Sequence, residues 1–309
     1  MLKKLVNRFT NVSVIGLDLG SSCVKVVEVE ASDGRIILRR CVVVPAGDGD
    51  AASVLTQLVR DADMPAASVA VGIASPEVIV KPVQFPPMPK KELASAIQLE
   101  AEQAILNGHV LSEMAVDWHA LGSDGNGTLR GLLAVVPHAV IAKRLQAVRA
   151  AGLRPAVADV EGLALWNAYW ALAGASEPAS ATVLLMNVGA RTTNVVIAKG
   201  SDELLLVRDL QLGARAIEEG RQAEWVTEVR DSLGYARSQA GLRQLDAAYV
   251  TGGGSGPQLL PLLKAAVPVP VTFWNPLRQL VRDADSPSVE ESVGPLLAVA
   301  IGLALRQPA

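Results

Sequence analysis

Two hydrophobic patterns alternate along the chain, and residues typical of turns separate them. Near the start, the segments VSVIGLDLG, SSCVKVVEVE and IILRRCVVV are rich in valine and isoleucine, and glycine-containing stretches lie between them. β-Branched runs of this length, bounded by turn residues, predict β-strands. The pattern therefore predicts a meander of three strands in the first part of the chain.

The same meander recurs half a chain later. Ile15 to Arg39 overlays Leu184 to Arg208 without a gap, at a constant offset of 169 residues, so that Asp18 falls on Asn187. Each copy has the order strand, glycine turn, strand, acidic turn, strand. Self-similarity at a fixed offset indicates a repeated structural unit. The sequence thus predicts a duplicated domain.

A different block lies between the two copies. Residues 68–85 predict two strands that end at a proline-rich stretch, and Lys90–Leu106 has the apolar face of an amphipathic helix. Two further strands, Met114–Leu121 and Leu129–Val136, flank a polar turn, and a helix is predicted at Pro137–Ala151. We expect an inserted α+β subdomain here.

The remainder of the chain alternates helices with strands, which predicts an α/β fold. The later predicted elements are a helix at Glu218–Ala240, a strand at Ala247–Val250, a helix at Pro257–Ala266, a strand at Val269–Phe273 and a closing helix at Val293–Leu305. The predicted organisation is a leader (1–11), a first core subdomain (12–79, resumed at 153–178), the insert (80–152), a second core subdomain (179–292) and the closing helix (293–309).

Charge and cysteine content narrow the functional classes. The 28 basic and 31 acidic residues are interspersed and give a net charge of −3, which does not favour nucleic-acid binding. Cys23 and Cys41 lie in apolar runs, so reduced, buried thiols of a reducing compartment are expected. No signal peptide and no transmembrane segment are predicted, and the three histidines lack a metal-binding spacing. A cytoplasmic protein is expected.

Three glycine-rich turns follow predicted strands and are candidate phosphate sites, because glycine lets a backbone approach a ligand and consecutive N–H groups can hold phosphate oxygens. Asp18 could hold Mg²⁺ through water. The candidate nucleotide-binding residues are Asp18, Gly20, Ser21, Ser22 and Lys25 in the first turn, Asn187, Gly189, Thr192 and Thr193 in the second, and Gly252, Gly253 and Gly254 in the third.

The order of these turns resembles a known superfamily. IGLDLGSSCVKVVEVE, LLMNVGARTTNVVIAKG and AAYVTGGGSGP resemble the first phosphate, second phosphate and adenosine motifs of actin-like ATPases. The resemblance implies an actin-like (ribonuclease H-like) fold of duplicated domains, with ATP and Mg²⁺ as the cofactors. Three such turns in this order are a more specific signal than any one of them.

Within that superfamily the chain resembles the PilM family most closely. VKPVQFPPMPKKELASAIQLEAEQAI, MAVDWHAL, RAAGLRPAVADVEGLAL and VTFWNPLRQL are similar to motifs of that family and occur in its order. The resemblance implies a cytoplasmic adaptor of type IV pilus assembly and twitching motility, peripheral at the inner membrane. Its expected partners are the cytoplasmic tail of a PilN-type inner-membrane protein, pilus assembly ATPases and other copies of itself. The tail is expected in a groove between the first core subdomain and the insert, near Lys90–Leu106, Trp118 and Leu133.

Two departures from the family pattern bear on activity. Asn187 stands where the family has aspartate, and an amide can neither carry charge toward Mg²⁺ nor accept a proton from water. The stretch after the second meander is also short, which predicts a reduced second lobe. An adaptor with little or no ATP hydrolysis is therefore expected. The alternatives are a Mg²⁺-dependent ATPase, in which Thr192 or Thr193 contacts phosphate, and a filament-forming protein like FtsA.

Overall fold

The computed structural model describes residues 14–32, 34–47, 51–62, 64, 66–105 and 109–306, so the predicted leader lies outside the described part. The strands are β1 (Ile15–Leu19), β2 (Cys23–Ser32), β3 (Arg35–Pro45), β4 (Ser68–Ile73), β5 (Ile79–Phe85), β6 (Met114–Ser123), β7 (Leu129–Pro137), β8 (Arg154–Val160), β9 (Thr182–Val188), β10 (Thr193–Lys199), β11 (Glu203–Leu210), β12 (Ala247–Thr251) and β13 (Val271–Phe273).

Eight α-helices occur in the described residues: α1 (Ala51–Asp61), α2 (Lys90–Ala104), α3 (His138–Ala150), α4 (Glu161–Leu172), α5 (Ala214–Glu218), α6 (Gln222–Gln239), α7 (Leu260–Ala266) and α8 (Ala298–Ala304). Short 3₁₀ helices lie at Leu111–Glu113, Gly174–Ser176, Pro257–Leu259, Pro276–Arg278 and Glu291–Leu297. None of the helices in this part of the chain is long and apolar enough to cross a membrane.

Two five-stranded sheets share one topology. The sheet of the first lobe has the order β3-β2-β1-β4-β8, and that of the second lobe has the order β11-β10-β9-β12-β13. In each sheet the first three strands are antiparallel and the last two are parallel to the central strand. Asp18 pairs with Lys25 in one hairpin, and Asn187 pairs with Asn194 in the other. Adding the offset of 169 to the first pair gives the second, so the predicted duplication extends to strand register.

Each sheet is covered on both faces, which explains why its central strands are apolar throughout. Helices α1 and α3 contribute Leu55 and Val148 to the core on one face of the first sheet. Helices α6 and α7 contribute Val229 and Leu263 to the equivalent core of the second sheet. The two remaining faces turn toward each other and share one core, which contains Trp166, Tyr169 and the apolar residues of α8. Trp166 and Tyr169 are both buried there.

The last helix of each lobe packs on the sheet of the other lobe. Helix α4 follows β8 of the first lobe but lies against β10, and α8 follows the second lobe but lies against β1. Glycines permit this close exchange: a Cβ atom on Gly302 would lie 1.8 Å from Ala164 O, and one on Gly16 would lie 1.9 Å from Ala300 O. The two lobes are therefore joined through helices that approach each other and the strands at backbone distance.

The insert forms a separate three-stranded sheet of order β5-β7-β6. Helix α2 covers one face, above a core that includes Phe85, Leu133 and Val135. The predicted helix is confirmed over Lys90–Ala104, and its Leu93, Ile97 and Ala101 pack on the sheet. Glu100 also lies on the packed side, where it binds Lys81 Nζ at 2.7 Å. This ion pair keeps a charged residue on the packed side of the helix.

Other elements differ from the sequence-based expectations in their boundaries. The helix predicted at Glu218–Ala240 is two helices, α5 and α6, and the chain between them passes through Gly220 at φ +91. The closing helix starts as a 3₁₀ turn because Pro295 interrupts α-helical hydrogen bonding. Helix α1 and strand β8 were not predicted. Only helices connect β11 to β12 in the described chain, which agrees with a reduced second lobe.

Candidate functional site

The first glycine turn joins β1 to β2 and has a buried ion pair at its base. Lys25 Nζ lies 2.7 Å from Asp18 Oδ2, and both side chains are buried. Burial acts to lower the pKa of Lys25, but Asp18, Cys23 and Glu161 together outweigh it, so the pKa is raised and the ammonium group stays charged. A Cβ atom on Gly20 would lie 2.9 Å from the same Nζ, so a side chain at this position would crowd the ion pair. A fixed positive charge therefore lies directly below the turn.

The backbone of the first turn is open to a ligand. Ser21 and Ser22 are exposed, and in the described part of the chain the Gly20 N–H has no hydrogen-bond partner. In the second hairpin, by contrast, the equivalent Gly189 N–H donates to Thr192 O at 2.9 Å. The first turn thus combines free donors with the Lys25 charge, a combination that suits a phosphate group.

The second turn differs from the first in both charge and packing. Asn187 Nδ2 donates to Asn194 Oδ1 at 2.8 Å, so an amide pair replaces the ion pair of the first hairpin. Thr193 is fully buried; its hydroxyl donates to Leu212 O at 2.7 Å and accepts from Trp225 Nε1 at 3.1 Å. The hydroxyl of Thr193 is therefore held in the core, and its expected contact with phosphate stays a prediction. Thr192 is half-buried at the turn itself.

The third glycine run packs against its own chain. Gly252 has φ +96, and a Cβ atom there would lie 2.4 Å from Val188 O. The Gly254 N–H donates to Val188 O at 2.8 Å, and the Gly252 N–H donates to Pro295 O at 2.9 Å. A Cβ on Gly253 would lie 2.8 Å from the Leu296 side chain. These glycines bring the third turn against the second turn and the closing segment, and that packing accounts for them without a ligand.

The structure adds Glu161, which the sequence-based site omitted. It is the first residue of α4, is buried, and its Oε2 lies 3.5 Å from Asn194 Nδ2. Burial, with a smaller contribution from the charge of Asp18, raises its pKa to about 7. An acidic residue between the apolar strand ADV and the apolar helix GLALW is the sequence signal that could have identified it.

Asp209 completes a polar cluster between the lobes. It accepts from Asn194 Nδ2 at 2.7 Å and from the Ser75 N–H at 3.2 Å, and burial raises its pKa to about 6. We call Asp18, Lys25, Glu161, Asn194 and Asp209 the junction cluster. It joins both hairpins, the start of α4 and, through the Ser75 N–H, the segment that leads into the insert.

The first turn and the junction cluster fit the phosphate end of a nucleotide better than they fit a bare metal. In the described residues, no group of three or more histidine, cysteine or acidic side chains is arranged to hold an ion. Asp18 carries a carboxylate, but Lys25 already neutralises it at 2.7 Å. Any Mg²⁺ here would depend on phosphate oxygens and water for most of its ligands. The residues that would hold the phosphates are Gly20, Ser21, Ser22 and Lys25.

Comparisons with known proteins agree with this architecture. Residues 16–225 match the family model described as "Type IV pilus assembly protein PilM". A chain of the solved structure described as "PilM-PilN type IV pilus biogenesis complex" is 27% identical, with a TM-score of 0.78 over 96% of this chain and 98% of that chain. This match and the duplicated sheet order confirm the predicted actin-like α/β fold.

Two further solved structures are more distant. The cytoplasmic domain of EpsL, an inner-membrane component of the type II secretion system of Vibrio cholerae, is 14% identical with a TM-score of 0.48 over 94% of both chains. A protein of unknown function with an actin-like ATPase fold from Bacteroides thetaiotaomicron is 10% identical with a TM-score of 0.48, over 89% of this chain and 93% of that one. No conclusion about this chain rests on these two.

Proposed function

Because the chain belongs to the PilM family of type IV pilus assembly proteins, we propose that it is a cytoplasmic adaptor that binds the cytoplasmic tail of a PilN-type inner-membrane protein. The observation that carries the proposal is the likeness, over 96% of this chain, to a chain of a PilM-PilN complex. The tail would hold the adaptor at the inner membrane, and the adaptor would connect it to the pilus assembly ATPases.

The outer part of the insert sheet, on the face opposite α2, is the best candidate for the tail site; Val80 and Leu132 of the same face are buried in the core between the lobes. Side chains alternate between the two faces of a sheet, and Val83, Leu133 and Trp118 lie on the face that α2 covers. The register of β5, β6 and β7 then places Gln84, His119 and Arg130 together on the other face. The tail was expected near Trp118 and Leu133. Both side chains lie on the face that α2 covers, which is the opposite face of the sheet from this candidate site.

Arg130 is the residue on this face with the strongest need for a partner. It is half-buried, and its Nε is fully buried without a hydrogen-bond partner in the described part of the chain. A buried donor left unpaired costs about 1–3 kcal/mol. A backbone carbonyl or a carboxylate of a bound tail would satisfy it.

The wall opposite this face is formed by the end of β8 and the last described residue. Arg306 Nη2 donates to Asp159 Oδ1 at 3.0 Å. Burial acts to lower the pKa of Arg306, but Asp159 and Asp117 of β6 together raise it above its ordinary value. Asp117 is therefore near enough to Arg306 to interact, which brings the outer edge of β6 beside the end of β8. The groove would lie between them.

Binding of a fluorescent peptide from a genomically neighbouring PilN-type tail tests this site. We expect Arg130→Glu to weaken binding at least about tenfold, which corresponds to about 1.4 kcal/mol. Gln98→Glu on the exposed side of α2 is the control, because it adds negative charge behind the sheet. Equal affinity of the two variants would contradict the groove, and no binding by the unmodified protein would contradict the adaptor function.

We also propose that the first turn binds the phosphates of ATP and that hydrolysis is slow or absent. Support comes from the free donors of the turn, the charge of Lys25, and the amide of Asn187 where the family has a carboxylate. Titration with Mg²⁺-ATP should show binding, while phosphate release should not exceed that of the Asp18→Ala variant. Release well above that variant would favour a working ATPase instead.

A further inference from the structure

A cleft in the second lobe lies between α6 and α7, apart from the insert and the junction cluster. Its volume is about 380 Å³, and it is lined by Arg230, Leu233, Arg237, Lys264, Ala265, Ala266, Val267 and Pro268. Leu233, Ala266 and Val267 are buried and form an apolar floor. The lining of the cleft therefore contains both apolar and cationic groups.

Three cationic side chains surround this floor. Arg230 is held in place because its Nε and Nη2 donate to Ala265 O at 3.0 and 2.7 Å. Arg237 and Lys264 are exposed and form no ion pair within the described part of the chain, and no carboxylate lines the cleft. Other surface arginines, such as Arg208 and Arg221, are paired with glutamates.

Helix ends alone do not balance this charge. Helices α6 and α7 end at Gln239 and Ala266. Arg237 and Lys264 lie in these last turns, and Arg230 reaches the last turn of α7 through its hydrogen bonds to Ala265 O. A helix C-terminus carries roughly half a negative charge, so the two ends together supply about one. The three side chains carry three positive charges. The residues that line the cleft therefore carry a net positive charge beside the apolar floor.

We propose that this cleft binds an acidic, partly apolar segment of a partner protein. The fork of an arginine pairs with a carboxylate through two hydrogen bonds, and Lys264 adds a mobile ammonium group. The floor takes an apolar side chain that lies next to the carboxylates. The proposal does not depend on the tail site, since the cleft belongs to the second lobe and faces away from α4.

Anisotropy of a fluorescein-labelled peptide with alternating glutamate and leucine measures this binding on the full chain. The test variant is Arg237→Glu with Lys264→Glu, which should reduce affinity at least about tenfold. Lys143→Glu with Arg149→Glu, two exposed positions on α3, makes the same change in net charge and should leave affinity within about twofold. A serine-for-leucine peptide should bind more weakly to the unmodified protein, because it cannot fill the floor.

Three outcomes would overturn the proposal. The first is equal affinity of the test variant and the α3 variant, which would indicate a general charge effect. The second is a result in which the cleft variant alone loses binding of pyrophosphate but keeps binding of the peptide. The third is a result in which the protein floats with phosphatidylglycerol vesicles, the cleft variant does not, and the peptide does not bind. Circular dichroism and urea unfolding of both double variants confirm that a loss of binding is not a loss of folding.

Discussion

Replacing Gly302 with alanine should destabilise the protein by at least about 3 kcal/mol, at the upper end of the usual cost of overpacking. The added Cβ would lie 1.8 Å from Ala164 O, a backbone atom of α4 that cannot move without shifting that helix from the second sheet. Urea unfolding followed by tryptophan fluorescence measures the change.

Gly234 provides a matched control within another helix. Its Cβ position has no neighbouring atom within 4 Å, so Gly234→Ala should stabilise the protein by about 0.5–1 kcal/mol through helix propensity alone. The two substitutions are chemically identical and should act in opposite directions. If Gly302→Ala were neutral, the close crossing of α4 and α8 would be wrong.

The Glu161→Gln variant should be more stable than the unmodified protein at pH 8 by up to about 3 kcal/mol, with the difference vanishing near pH 4.5. Burial raises the pKa of Glu161 from 4.5 to about 7, with Asp18 adding to the effect. Between these values the folded protein binds more protons than the unfolded chain. By linkage, the contribution of this group to the free energy of unfolding falls as pH rises through that window. Glutamine does not ionise in this range, so the variant does not lose this stability as the pH rises.

Unfolding free energies at pH 5, 6, 7 and 8 decide this prediction. Glu102→Gln, on the exposed side of α2, should show an offset that does not vary over the range. The offset of Glu161→Gln should grow with each step to pH 7 and then level off. A constant offset would mean that Glu161 is not held in a desolvated site between the lobes. Asp209, whose pKa is also raised by burial, acts in the same direction at lower pH.

The duplicated hairpins could be predicted from sequence because local patterning determines them. Each strand is a β-branched run bounded by turn residues, and the overlay aligned Asp18 with Asn187 before any pairing was known. The pairs Asp18 with Lys25 and Asn187 with Asn194 then follow from hairpin geometry. The insert was also predictable, since α2, β6 and β7 have clear periods and polar turns. The exact limits of the subdomains stay a prediction.

Features that depend on distant parts of the chain could not be predicted. Glu161 and Asp209 lie 48 residues apart and meet only through Asn194. Thr192 and Thr193 are neighbouring threonines that the sequence does not distinguish. Only the position of Trp225 against the second turn shows that the Thr193 hydroxyl is hydrogen-bonded in the core. The position of Glu100 on the packed side of α2 depends on Lys81, which lies on a strand. Sequence patterns predict the order of the elements along the chain, but not which elements pack against each other.

The exchange of closing helices has a consequence for how the chain is made. All five strands of the first sheet are complete once Val160 has been synthesised, yet β1 lies against α8, whose last residue is Ala304. A nascent chain released in order therefore presents one apolar face of a finished sheet until nearly the whole polypeptide has left the ribosome. Such a face is prone to association with other chains during that interval. Production of this protein should therefore be sensitive to chaperones that hold the nascent chain, and to premature stops before α8.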